Sequence, residues 1–147
     1  MTDEWLEELP IDVCLQHLRE GSVGRIAFTV SDGPLVFPVN YRLVEAAGVQ
    51  WLAVRARPGG VIERAPVQVA FEIDQIDSGR KEGWSVLVRG TLHRVDADAA
   101  DFRDRFDPEP WVLAERDAWL AVVPFAITGR ALHAAAIDWA FQMRAYL

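Results

Sequence analysis

The sequence consists largely of strand-like segments joined by hairpin-length connections, and this pattern constrains the fold more than any other feature. Its clearest example is VQVAFEIDQID, residues 67–77, in which Val67, Val69, Phe71 and Ile73 alternate with other residues. An alternation with a period of two places these four side chains on one face of a β-strand. Residues 67–77 are therefore predicted to form a strand.

Five other segments are also predicted to be strands. Residues 23–30 (VGRIAFTV) and 35–44 (LVFPVNYRLV) flank the turn signal SDGP, so they are predicted to pair as a hairpin. The remaining three are residues 49–56, 84–96 and 118–132. The last of these contains Pro124, which cannot donate a ladder hydrogen bond. That strand is therefore predicted to lie at an edge of the sheet or to carry a bulge.

Helices are predicted to be few and short. Residues 11–20 have a helical pattern of apolar residues, with Asp12 as the predicted N-cap and Gly21 as the predicted stop. A second helix is predicted at residues 97–106, and residues 61–65 are long enough for one helical turn. Six strands with such short helices predict a mainly β fold, a small antiparallel barrel with flanking helices.

Length, charge and cysteine content narrow the class of protein. The 147 residues are sufficient for one domain with a buried core, predicted to span residues 1–147. The net charge of −7 argues against nucleic-acid binding, which depends on basic residues. No apolar run reaches the roughly 18 residues that span a bilayer, and the acidic N-terminus is unlike a secretory signal. The lone Cys14 excludes an internal disulfide, so a cytoplasmic, non-membrane protein is predicted.

Histidines and acidic residues give little support for a metal site. His17, His93 and His133 are far apart in the sequence and lack a ligand-like spacing, so no metal site is predicted. Asp74 and Asp77 are candidates for cation binding. We favour the interpretation that these two residues close a strand and pin a turn.

Five segments, in this order and with matching spacing, carry a family resemblance: CLQHLREGSVGRIAF, PLVFPVNY, VAFEIDQID, GWSVLVRG and PWVLAERDAWLAVVPFAITGR. Over roughly residues 11–132 the chain resembles the pyridoxamine 5′-phosphate oxidase-like split-barrel proteins, above all their small actinobacterial flavin-nucleotide-binding branch. The resemblance implies a six-stranded antiparallel split β-barrel that forms a homodimer. It also implies a flavin in each of two clefts across the dimer interface, either flavin mononucleotide (FMN) or the deazaflavin coenzyme. Some members of the family bind neither of them well.

Two motifs of the resemblance indicate residues beside the flavin ring. PVNY places Pro38, Val39 and Asn40 next to the isoalloxazine ring. GWSV places Trp84 and Ser85 on an adjacent strand, near the ring or its ribityl chain. The resemblance further suggests that Trp111 reaches the cofactor of the neighbouring subunit.

The stretch VRARPGGVIERA aligns with the phosphate segment of the family, which reads like RTxxGxK. Arg55 and Gly59 match the arginine and the glycine, whereas Ala56 replaces the threonine and Val61 replaces the lysine. A hydrogen bond to a charged group contributes about 1.5–3 kcal/mol. Losing two such contacts would weaken binding by about a hundredfold or more.

Other residues of this stretch are candidates to offset the loss. Arg57 lies two residues after Arg55, and the amides of Gly59 and Gly60 are suited to form an anion-binding nest. For the deazaflavin, whose polyglutamate tail is acidic, Arg42, Arg57 and Arg64 are a candidate path.

Two functions remain open from the sequence. The first is a flavin- or deazaflavin-dependent oxidoreductase that acts on a small-molecule substrate, with no acid or base residue identified. The second is a non-catalytic split-barrel binding module with a degraded phosphate site. The aromatic C-terminal tail, residues 134–147, is predicted to pack either on the partner subunit or on its own domain.

Overall fold

A computed structural model of the chain describes residues 6–56, 63–95 and 118–134. In chain order the elements are β1 (Leu6–Glu8), α1 (Ile11–Glu20), β2 (Val23–Val30), β3 (Gly33–Ala46), β4 (Val49–Ala56), β5 (Val67–Asp77), β6 (Glu82–Arg94) and β7 (Ala118–Leu132).

The six long strands form a closed antiparallel ring. Their order is β7-β4-β3-β2-β5-β6, and additional pairing between β6 and β7 closes the ring. The strand β1 pairs with the end of β7, where Leu6 is opposite Leu132. The predicted six-stranded antiparallel barrel is thus confirmed. The short strand β1 was not predicted, because three residues are too few to show an alternating pattern.

The strand that contains Pro124 carries the predicted bulge. Arg89 of β6 is opposite Ala126 of β7, but the next residue, Gly90, is opposite Pro124, which leaves Phe125 as the extra residue. A Cβ atom on Gly90 would clash with the carbonyl oxygen of Val123, so the close approach of the two backbones at the bulge requires glycine.

The helix α1 closes one end of the barrel. Its side chains Cys14 and Leu18 are fully buried in the core. The buried Tyr41 hydroxyl of β3 donates a 2.8 Å hydrogen bond to the carbonyl oxygen of Leu18, which ties the last turn of α1 to the barrel. Burial raises the pKa of the Tyr41 phenol, so this hydroxyl remains a donor.

The ends of α1 agree with the sequence in one case and not in the other. Gly21 ends the helix as predicted, and its N–H donates to the carbonyl of His17 at 3.2 Å. The prediction for Asp12 was wrong, because the N-cap residue is Pro10 and no side-chain capping bond forms. Asp12 lies in the first turn, where its negative charge is still favourable near the helix N-terminus.

Several sequence predictions fall partly or wholly outside the described residues. The helix at residues 97–106 and nearly all of the aromatic tail belong to this group. Of the predicted turn at residues 61–65, Glu63 and Arg64 adopt a 3₁₀ conformation. In the described part of the chain, no helix is both long and apolar enough to cross a membrane.

Candidate functional site

The barrel splits between β3 and β4. Within the described residues, their register runs from Ala46, opposite Val49, to Asn40, opposite Arg55. The first half of β3, residues 33–39, pairs within the described residues with β2 alone. Asn40 and Arg55 therefore lie where one long strand leaves its neighbour and opens an edge.

The direction of the backbone groups at this edge follows from one hydrogen bond. The N–H of Tyr41 donates to the carbonyl of Ser22 at 3.0 Å, towards β2. Because N–H and C=O groups alternate sides along a strand, Pro34, Val36 and Pro38 direct their backbone groups away from β2. The two prolines have no N–H, so the edge presents mainly carbonyl oxygens, which blunts it for strand pairing. At this edge the Pro38 carbonyl offers a ligand a hydrogen-bond acceptor, and the Asn40 side chain offers it an amide group.

One row of side chains across β3, β4 and β7 contains Asn40, Arg55 and Trp119. Arg55 is opposite Asn40 on one side and opposite Trp119 of β7 on the other. Alternation places these three side chains on the outer face, because Val54 and Leu120 next to them are in the core. The guanidinium carbon of Arg55 lies 5.1 Å from the centroid of the Trp119 ring, a cation–π contact. Trp119 is only 8% exposed although it faces outward.

Trp84 and Ser85 lie elsewhere. Ser85 is on the outer face of β6, opposite Asp74 and Arg130, and two strands lie between β6 and β3. Trp84 points to the other side and stacks on His17 of α1, with ring centroids 3.6 Å apart and an angle of 13° between the rings. Within one chain the structure thus brings Pro38, Asn40 and Arg55 together but does not bring the Trp84 side chain to them.

The other residues of the phosphate segment are described only in part. Ala56 is half-buried and packs against the core, on the opposite side of β4 from Arg55. Arg57, Gly59, Gly60, Val61 and Trp111 lie outside the described residues.

An ionic cluster next to Pro38 was missed by the sequence reasoning. Arg25 of β2, which is opposite both Pro38 and Glu72, contacts Glu72 at 2.7 Å and Asp74 at 2.8 Å through the same Nη2 nitrogen. Its Nε donates to Glu72 at 2.8 Å. Burial and then a hydrogen bond with Asp74 raise the pKa of Glu72, although Arg25 opposes this shift. The sequence does show that Glu72 and Asp74 are spaced to lie on the polar face of β5. It does not show that Arg25 is their partner.

The cluster corrects half of the prediction for the two aspartates. Asp77 does pin the turn after β5, because its Oδ1 accepts the backbone N–H of Arg80 at 2.9 Å. Asp74 instead forms the cross-strand ion pair with Arg25. In the described parts of the chain, no group of three or more histidine, cysteine, aspartate or glutamate residues is placed to hold a metal ion.

The outer face beside this cluster is open and apolar. Val36 on β3 is 59% exposed and Phe125 on β7 is 57% exposed. A row of three alanines, Ala27, Ala70 and Ala126, crosses the sheet between these two strands, with Arg89 within the row. The Arg89 guanidinium lies 5.4 Å from the Phe125 ring centroid. We call this surface, formed by Val36, Phe125, Arg89 and the three alanines, the open face.

Comparisons with known proteins agree with this architecture. Residues 10–131 match the sequence profile of a family described as pyridoxamine 5′-phosphate oxidase. An uncharacterised protein of Mycobacterium tuberculosis is 30% identical over 125 residues, which are 83% of this chain and 82% of that protein.

Two solved structures are similar over almost their whole length. The FAD-binding protein of Mycobacterium smegmatis is 31% identical with a TM-score of 0.69, over 86% of this chain and 98% of that one. A Corynebacterium diphtheriae protein of unknown function is 26% identical with a TM-score of 0.75, over 88% of this chain and 99% of that one.

Proposed function

This chain belongs to the pyridoxamine 5′-phosphate oxidase family, and on that premise we propose that it binds a flavin nucleotide at the split between β3 and β4. The observation that carries the proposal is the pairing of Asn40 with Arg55 where the two strands part. One amide side chain, the carbonyl oxygens on the β3 edge and one arginine meet there. These are the groups that suit a planar heterocycle with a phosphate at its far end.

Each residue has a separate task in this proposal. The Asn40 amide and the Pro38 carbonyl bind the polar edge of the flavin ring and orient it. The Arg55 guanidinium binds the phosphate, a charge-assisted contact that contributes about 1.5–3 kcal/mol. A bound flavin would supply hydride transfer to or from a small-molecule substrate. The protein contributes binding, orientation and exclusion of water.

The choice among flavins depends on the residues that bind the phosphate. The M. smegmatis relative binds FAD, which supports a flavin nucleotide in general. We rank FMN first and the deazaflavin second. We add FAD as a third candidate because the M. smegmatis relative binds it. Titration of the purified protein with the three cofactors, at low and high salt, ranks them. The acidic tail of the deazaflavin makes its binding the most salt-sensitive of the three.

We also propose that the protein is a homodimer in which a second copy covers the open face. Exposed apolar groups such as Val36 and Phe125 are favourable to bury, and the small side chains of the alanine row let another chain approach this part of the sheet closely. The face borders Pro38, so a second copy would close the side of the site that the monomer leaves open. A cytoplasmic location remains part of the proposal, in line with the lone and buried Cys14.

The proposal is tested by colour. Protein incubated with FMN, FAD or the deazaflavin and then freed of excess cofactor should retain a flavin absorption band, with about one flavin per chain. Retention of none of the three would refute the binding site. Flavin-loaded protein that is never reduced by nicotinamide or other donors would refute the oxidoreductase part alone.

The alternative function is a non-catalytic binding module, and one observation favours it. The phosphate segment holds Ala56 and Val61 in place of a hydroxyl and a cation. If the site is only degraded, the double variant Ala56→Thr/Val61→Lys should gain tight FMN binding. Because Ala56 packs against the core, each single variant and its unfolding temperature are needed as controls.

A further inference from the structure

We propose that Trp119 is a positioning residue, which holds the Arg55 guanidinium in place for the phosphate of the flavin nucleotide. The inference rests on the proposed function and deepens it, because it names a residue that positions Arg55 for the phosphate. Sequence reasoning singled out Trp111 and Trp84 but gave no role to Trp119.

The backbone pattern brings the two side chains close together. The N–H of Tyr41 points to β2, so the backbone groups of Asn40 point to β4 and pair with those of Arg55. The backbone groups of Arg55 therefore point away from Trp119. The carbonyl of Trp119 points away as well, since it accepts the N–H of Val95 at 3.0 Å. Arg55 and Trp119 are thus a non-hydrogen-bonded pair, the type in which facing side chains approach most closely.

The contact is compatible with binding of an anion by Arg55. Stacking on an aromatic ring uses the face of the guanidinium, whereas hydrogen bonding to an anion uses the N–H groups on its edge, so the two kinds of contact do not compete. Trp119 is almost fully buried, so its ring is a fixed surface. Alternation places Val44 and Ala53 on this same face, and both are buried, at 2% and 0% exposure. Their packing limits the movement of this part of the sheet. A guanidinium held in this way loses less rotamer freedom when the phosphate binds.

The inference also accounts for the composition of the phosphate segment. A phosphate segment that lacks the threonine and the lysine relies more heavily on Arg55, the arginine that it retains. Ordering the long Arg55 side chain for the phosphate costs entropy. Trp119 lowers this cost because its contact with Arg55 already restricts that side chain before the phosphate binds.

A comparison of FMN with riboflavin isolates the effect, because the two ligands differ only by the phosphate. We expect Arg55→Gln to weaken FMN binding by about 10- to 100-fold and riboflavin binding by less than about threefold. Trp119→Leu should weaken FMN binding by about 3- to 30-fold, again with little effect on riboflavin. Trp119→Phe, which keeps an aromatic face, should restore most of the FMN affinity.

Two controls separate positioning from a general loss of structure. Val44→Ala removes buried volume from the same face without touching Arg55, and it should leave the ratio of FMN to riboflavin affinity unchanged. In the Arg55→Gln background, Trp119→Leu should have no further effect on that ratio, because its partner is gone.

The outcomes distinguish this inference from the proposed function. Wild-type protein that binds neither ligand refutes both. A wild type that binds both ligands equally well, or a Trp119→Leu variant that loses both in parallel, refutes the positioning role and leaves flavin binding intact. Additive effects of the two substitutions on the ratio also refute it.

Discussion

Asn40 and Arg55 are the last residues that β3 and β4 pair in register within the described part of the chain, and they lie at the point where the barrel splits. Their backbones belong to the ladder, whereas their side chains face outward beside the β3 edge at residues 34–38. The position is rigid because of the ladder and accessible because of the split. Rigid positions of this kind hold ligand-binding side chains in a fixed geometry.

The substitution Asn40→Ala should therefore affect binding more than folding. The backbone pairing with Arg55 is retained, so β3 and β4 should keep their register. One neutral hydrogen bond to the flavin is lost, which weakens its affinity by about 2- to 10-fold. Gln50→Ala, at the other end of the same ladder, is the control. Titration of both variants with FMN checks the prediction, and an unchanged affinity in Asn40→Ala would contradict it.

The substitution Tyr41→Phe should destabilise the fold by about 1–3 kcal/mol, because the Leu18 carbonyl loses its buried donor at the end of α1. The ring itself is kept, and with it the edge-on contact with Phe71 at 4.8 Å. Unfolding by urea measures the change in free energy. A loss below a few tenths of a kcal/mol would mean that this carbonyl finds another partner.

The substitution Gly90→Ala should destabilise the protein by about 1–3 kcal/mol through overpacking at the bulge. The new Cβ would meet backbone atoms of Val123 and Pro124, which cannot rotate away. Gly79→Ala is a matched control, since its Cβ would meet only the Asp77 carboxylate at 3.4 Å. Thermal unfolding of the pair is the measurement. Equal unfolding temperatures for the two variants would contradict the close approach of the strands at Gly90.

The substitution Phe125→Asp should weaken the proposed dimer by at least about tenfold, because it replaces an exposed aromatic ring of the open face with a charge. Val49 is the control position, since it is also 57% exposed but lies at the β3–β4 turn. Val49→Asp should leave association unchanged. Sedimentation of both variants over a range of concentrations decides. A Phe125→Asp variant that still dimerises like the wild type would move the interface elsewhere.

The substitution Glu72→Gln should flatten part of the dependence of stability on pH. The pKa of Glu72 is raised above its ordinary value of 4.5 by burial and by Asp74. The folded state therefore holds this proton after the unfolded chain has lost it. Accordingly, the free energy of unfolding falls as the pH rises through the window above 4.5. The variant lacks this decrease.

Glu45 provides the control of opposite sign for that experiment. A hydrogen bond from Arg19 lowers the pKa of Glu45, so its contribution is present above 4.5 and is lost as the pH falls. This pair is exposed and its contribution is small. Urea unfolding of Glu72→Gln and of Glu45→Gln at several pH values is the test. A Glu72→Gln variant that keeps the full wild-type slope in this window would contradict the prediction.

The sequence by itself determined the local elements. The helix at residues 11–20 and the strands at 49–56 and 67–77 have the bounds that were predicted, because a helical or alternating pattern depends on neighbours in the chain. The bulge at Pro124 followed from the missing N–H of proline. The β6 strand begins two residues earlier than predicted, at Glu82 rather than Trp84, after a turn in which Lys81 has a positive φ.

Only the tertiary structure decided which distant side chains meet. Alternation states the face of a residue but not its partner on the next strand, and the partner depends on register across the whole closed ring. That register brings Arg55 onto Trp119 and Arg25 onto Glu72. The docking of α1 likewise placed Trp84 against His17, away from Asn40. The candidate site therefore follows from strand pairing over long sequence separations, which no local pattern encodes.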